Sequence, residues 1–186
     1  LLAVLFVPLC FGLPDLYLWA DKELVAVDPE LQHKWPYLNP VWFIVRAAIY
    51  FAVWGVLAFV LNRWSAEQDR DTLPRDTRRF RLLSGPGLVL YGLAITFASV
   101  DWVMSLEPYW FSTMFPVIFA VGQLLNGFAF AVAALVLLAR RPPLSEAVDR
   151  VHLRDLGSLM LAFVMIWAYV SFSQFLLIWV GNLQEE

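Results

Sequence analysis

The sequence predicts an all-α integral membrane protein, on three observations. Hydrophobic residues make up 61% of the chain and charged residues 16%, with a mean hydropathy of +0.67. That balance leaves too little polar surface to cover a water-soluble core. The apolar residues gather into five stretches, at about residues 1–19, 40–62, 86–106, 113–139 and 156–180. Each is near the roughly 20 residues that cross about 30 Å of hydrocarbon at about 1.5 Å per residue. The basic residues, finally, concentrate in two of the intervening loops. In lipid every backbone N–H and C=O must be satisfied within its own segment, so the five stretches are expected as transmembrane helices of one bundle spanning residues 1–186.

The first stretch opens at Leu1 inside an apolar run and holds Pro8, Gly12 and Pro14 just before Asp15, a composition that kinks or ends a helix and can expose backbone to an internal site. It lacks the basic leading region and small-residue cleavage site of a signal peptide. Opening without methionine and stopping at Glu186 just after another apolar run, the sequence is expected to be an internal piece of a longer chain. Asn39-Pro40 reads as N-cap and first-turn proline of the second span. Ser84 and Asp155 are the expected caps of the third and fifth, while Pro142-Pro143 and Gly181-Asn182 follow the ends of the fourth and fifth.

Orientation follows from the arginines. Loop 63–85 carries Arg63, Arg70, Arg75, Arg78, Arg79 and Arg81, and loop 140–155 carries Arg140, Arg141, Arg150 and Arg154. The other side has only Lys22 and Lys34, so the arginine loops are expected in the cytoplasm of a bacterial cell, with the protein in its plasma membrane. Trp19, Trp35, Trp42, Trp102, Trp110 and Trp179 lie towards the outer boundary, as an aromatic belt or a docking surface would place them. Residues 65–83 mix both charge signs and read as a loop with a short surface helix, whose arginines can draw anionic lipid.

Several chemistries are set aside by residue type. Cys10 is the only cysteine, which excludes within this sequence a disulfide, a cysteine zinc site and a cysteine-ligated cluster. His33 and His152 fall in loops on opposite sides and cannot be paired axial ligands of one haem. No metal site and no nucleic-acid partner are expected.

Charges inside the spans cost about 2.5–3.5 kcal/mol each at mid-bilayer and carry most of the information. Helix rise places Asp15, Arg46 and Asp101 about 7–10 Å below the outer boundary, with Gln174 in the same layer. Such a layer suits either a buried hydrogen-bonded cluster or an outward-opening proton path. Arg46 pairing with Asp101 or Asp15 merely to hold the bundle together is the plainer use; a carboxyl that changes protonation, Asp101 foremost, is the functional one. Tyr169 with Ser173, and Ser171 with Gln174, share faces of the fifth span. Gln123 and Asn126 lie near mid-membrane on the fourth. These groups can extend a path inwards or serve as interhelical glue.

FASVDWVMSLEPYWFSTMF at 97–115 and residues 155–186, ending AYVSFSQFLLIWVGNLQEE, resemble the F subunit of bacterial alternative complex III, a quinol:cytochrome c or quinol:electron-carrier oxidoreductase. The resemblance extends over YLNPVWFIVRAAIYF at 37–51 and departs at Gln184, where a proline is expected. It implies a polysulfide-reductase-type (NrfD-like) bundle of about ten helices, of which this sequence would be roughly half. It further implies a subunit without haem or cluster, often described as binding quinone or menaquinone and suggested to conduct protons. Its partners would be a sister NrfD-like subunit, an iron-sulfur subunit and haem c subunits. A membrane scaffold for those subunits and a secondary transporter built around Pro14 are the competing functions.

Overall fold

The computed structural model describes residues 2–70, 78–139, 141–142 and 144–181, and among these all regular structure is helical. Four helices are long and apolar enough to cross a membrane: Pro40–Asp69, Arg78–Leu106, Phe115–Leu138 and Arg150–Gly181. This is consistent with a multi-pass membrane protein. The chain divides into two compact units, Leu1–Phe111 and Ser112–Glu186.

The first apolar stretch is not among the four. Helix α1 (Leu2–Phe11) has 10 residues, a rise of about 15 Å, and gives way at Gly12 to the single turn α2 (Leu13–Leu16). The break sits where Pro14 would otherwise fall inside a helix. With the chain restarted at Leu13, Pro14 occupies a first-turn position, where its missing N–H costs nothing. Phe6 of α1 nonetheless packs on Trp102, Phe51 and Phe43, with ring centroids 5.0, 5.4 and 6.1 Å away.

Residues 17–39 fold into a small lid. A 3₁₀ turn (Leu18–Ala20) leads into α3 (Lys22–Val27) and α4 (Pro29–Lys34). Such short helices survive only with caps and a core, and both are present. The Asp21 carboxylate accepts from the Glu23 N–H at 2.9 Å, and that of Asp28 from Glu30 at 2.8 Å. Tyr17, Trp19, Leu31, Leu38 and Phe43 are buried together. The lid is tied to the chain leaving the third span: the Tyr17 hydroxyl donates to the Trp102 carbonyl (2.9 Å) and the Trp19 indole to that of Ser105 (3.0 Å). Lys34 donates to the Pro108 carbonyl at 2.6 Å. The first two bonds supply donors to carbonyls at a helix end, where no intrahelical partner exists. Trp19 is thus a core residue and no part of an interfacial belt, and Trp102 packs against the same core, whereas Trp42 and Trp179 are exposed.

Helix α5 (Pro40–Arg70) starts at the expected cap, with the Asn39 side-chain Oδ1 accepting from the Trp42 N–H at 3.0 Å. It runs about two turns beyond the apolar stretch, supported by an Arg63–Glu67 pair at 3.2 Å. Helix α6 (Arg78–Trp102) begins well before Ser84. Ser84 does not cap it: the hydroxyl donates back to the Phe80 carbonyl at 2.6 Å, as serines do inside helices. Much of the expected loop 63–85 is therefore helix, because apolarity marks where lipid ends rather than where the helix does. Residues 71–77, with Arg75, lie outside the described residues. α5 and α6 run antiparallel, Arg46 meeting Asp101 near one end and Trp64 meeting Phe80 near the other.

The second unit is a helical hairpin of α7 (Phe115–Leu138) and α9 (Arg150–Gly181), with the single turn α8 (Leu144–Ala147) between them. Gly122 faces Trp167 closely enough that a Cβ would stand 3.4 Å from the indole nitrogen, and Phe128 meets Phe163 at 5.7 Å. The cap of α9 is Asp149 rather than Asp155, its carboxylate accepting from the His152 N–H at 2.9 Å. Asn182 and Gln184 lie outside the described residues.

Candidate functional site

Arg46 and Tyr50 are one helical turn apart on α5 and project from the same face, with Trp54 one turn further. Opposite them, Ala94 and Ala98 of α6 are buried and small, so the helices approach closely and Asp101 is brought against α5. Asp101 is 0% exposed. Its carboxylate accepts from Arg46 Nε at 2.7 Å on Oδ2 and Arg46 Nη2 at 3.0 Å on Oδ1, a two-pronged fork. The Tyr50 hydroxyl donates to Oδ2 at 2.6 Å. Arg46 is held in turn: Nη1 donates to the Tyr37 carbonyl at 2.9 Å, and its guanidinium lies 4.0 Å from the centre of the Tyr37 ring.

The cluster is electrically neutral, and each charge is desolvated against its partner. That makes burial in an apolar helix pair affordable, whereas removing one partner of a buried pair costs about 3–5 kcal/mol. Chemically, three donors fill three of the roughly four acceptor positions of the Asp101 carboxylate, and Tyr50 is the neutral one, able to turn its own hydroxyl proton away. Around the cluster, the indole N–H groups of Trp54 and Trp102 are buried and have no acceptor among the described residues.

Of the layer read from span ends, the structure brings together Arg46 and Asp101. Asp15 does not join them: it lies exposed in the first turn of α2, because the break at Gly12 turns the chain before it. Gln174 belongs to the second unit, where its side-chain oxygen accepts from the Ser112 hydroxyl at 2.8 Å; that hydroxyl also accepts from the Met114 N–H at 3.2 Å, steadying the start of α7. Ser173 donates to the Tyr169 carbonyl at 2.8 Å, so this pair is spent within one helix, with the Tyr169 ring 73% exposed. The Ser171 hydroxyl is buried without a partner among the described residues. Gln123 and Asn126 lie on exposed positions of α7.

Tyr50 and the Tyr37 carbonyl were not singled out by depth alone. Tyr50 was nevertheless legible, as the polar tip four residues after an intramembrane arginine; the Tyr37 carbonyl had no sequence signal. A second long-range polar tie sits outside the spans, where the Tyr109 hydroxyl donates to Asp28 Oδ2. That bond, with the backbone N–H groups of Glu30 and Leu31, holds the Asp28 carboxyl below its ordinary pKa, and the same bond pushes the Tyr109 phenol up. No three His, Cys, Asp or Glu side chains converge on a possible metal position among the described residues.

Fold and site together define a helical protein with four candidate membrane spans, organised in its first unit around one buried ion pair. Compared with protein-family models and with curated proteins, the chain matches none.

Proposed function

We propose that this chain is a membrane subunit of a respiratory quinol:electron acceptor oxidoreductase, proton-conducting or quinone-binding. In this reading it works beside iron-sulfur, haem c and sister NrfD-like subunits in a bacterial plasma membrane. One observation carries the proton role: a fully buried carboxylate, Asp101, sits inside an apolar helix pair with a neutral hydroxyl donor, Tyr50, on the oxygen it shares with Arg46. A carboxylate in such a place is costly unless it serves the fold or moves a proton. The resemblance at 97–115 and 155–186 supplies the electron-transport setting, the roughly ten-helix NrfD-like bundle and the fifth span. Quinone or menaquinone is the cofactor this setting implies.

The same geometry favours one other reading. The two-pronged Arg46–Asp101 fork is what a membrane scaffold would use to lock its helices, with no proton moved. Asp101→Asn in the full-length protein within its complex separates the two. A relay gives a complex that assembles and passes electrons but releases fewer protons per electron in vesicles; a strut gives poor assembly that Arg46→Gln partly restores. Normal assembly with wild-type proton release removes Asp101 from both roles. Purification in mild detergent with no haem- or cluster-bearing subunit attached would overturn the respiratory assignment. The orientation is tested by cysteines: those replacing Arg78 and Ser145 should react from the cytoplasm only, and one replacing Val27 from outside only.

A further inference from the structure

The arginine end of the α5–α6 pair carries a feature that the buried ion pair does not use. A cavity of about 480 Å³ opens between the two helices, lined by Trp54, Leu57, Leu61, Leu83, Gly87 and Tyr91 among others. Its size falls in the range of about 300–1,000 Å³ typical of small-molecule sites, and its walls are almost wholly apolar. Gly87 makes it: a Cβ there would stand 3.4 Å from Leu57 Cδ2, so any larger side chain would grow into the space between the helices. Towards the helix ends, Trp64 and Phe80 meet edge to face at 5.7 Å. Exposed Arg79 and Arg81 are the chain neighbours of Phe80, about 100° to either side of it around the helix, and so flank the face that carries Phe80, Leu83 and Gly87.

An apolar cleft inside a membrane span with two cations at the bilayer edge is complementary to one kind of molecule, an amphiphile with an acyl chain and a negative headgroup. We infer that this cleft is a binding site for an anionic phospholipid, its chain between α5 and α6 and its phosphate beside Arg79 and Arg81. A zwitterionic lipid fits the cleft equally well but carries its own cation to the arginines. The arginines therefore set the preference, and the cleft sets the position. This rests on the chain spanning a membrane and is independent of any respiratory role. The site holds these two helices at their cytoplasm-facing end in the orientation proposed above, far along α5 from Arg46.

The test is native mass spectrometry of the full chain in mild detergent, titrated separately with phosphatidylglycerol and phosphatidylcholine. Phosphatidylglycerol should bind more tightly by roughly 25-fold, a factor of about five for each arginine near the headgroup. Arg79→Gln with Arg81→Gln alters exposed positions only and should bring phosphatidylglycerol down to the level of phosphatidylcholine. Gly87→Leu should weaken both lipids, with an unchanged helical circular dichroism spectrum. If that variant loses helicity, Ala58→Leu on the opposite wall replaces it. Equal binding of the two lipids by the wild type, a preference that survives loss of both arginines, or undiminished binding with the cleft filled would each overturn the site. So would a cleft sealed by a tightly held partner polypeptide and retaining no lipid.

Discussion

The two units solve the same problem in different ways. In Leu1–Phe111 the helices are joined by long-range polar bonds, Arg46 and Tyr50 to Asp101, Trp19 to Ser105 and Tyr17 to Trp102, above an aromatic core. In Ser112–Glu186 only Pro116 and Val170 are buried among the described residues, and α7 and α9 meet through a glycine against a tryptophan and a phenylalanine pair, with the Ser112–Gln174 bond at one end. Lipid is as apolar as leucine, so apolar faces gain little by pairing with each other there; polar bonds and close packing of small residues remain as the adhesives. Both units use both kinds, in different proportion: a buried ion pair dominates the first, with Ala94 and Ala98 letting its helices close, while in the second the Gly122–Trp167 contact stands beside the Ser112–Gln174 bond.

That contrast can be broken most forcefully at Asp101. On the strut reading, Asp101→Asn leaves Arg46 buried without its counter-charge and should destabilise the first unit by about 3–5 kcal/mol, read as loss of thermal stability in detergent. Adding Arg46→Gln should return a substantial part of that loss, giving a non-additive cycle. Strictly additive single losses would mean that the fork adds nothing as a unit.

In the second unit the sensitive position should be a glycine. Gly122→Leu forces a side chain against the Trp167 indole and should cost about 1–3 kcal/mol by overpacking. Gly127→Leu, where nothing lies within 4 Å, should be near neutral. Equal effects at the two sites would show that the hairpin is not held by the close approach at Gly122.

The smallest effect concerns the lid and is set by pH. The Asp28 carboxyl is held below its ordinary value of 3.8, chiefly by the Tyr109 hydroxyl. A depressed carboxyl stabilises the fold fully above its unfolded pKa, and that stabilisation is lost as pH falls through the lower folded value. Thermal melts of wild type and Asp28→Asn should therefore differ by a small, constant amount above about pH 5 and converge progressively as the pH falls below 3.8. A gap that widens on acidification would contradict the Tyr109–Asp28 tie.

The polar layer was legible because charges in apolar stretches are expensive, and counting residues from a span end gives depth. Depth gives no lateral position, so Asp15 and Asp101 looked equivalent until the break at Gly12 set Asp15 apart. The helix ends were legible at Asn39-Pro40, where the cap coincides with the edge of the apolar stretch. They were hidden at α6 and α9, where charged turns prolong the helix past the apolar boundary.

By itself, then, the sequence determined that the chain is helical and apolar enough to cross a membrane, where most spans lie, and that Arg46 and Asp101 have to find partners. These follow from composition, periodicity and the cost of unsatisfied polar groups, all of which are local. Only the tertiary structure decided that Asp101 takes Arg46 and Tyr50 together, that Trp19 anchors a lid beside Tyr17 instead of joining a membrane belt, and that a cleft opens at Gly87. Those depend on which helix faces meet, and with nearly every face apolar the one-dimensional pattern carries little signal about which face turns towards a neighbour and which towards lipid.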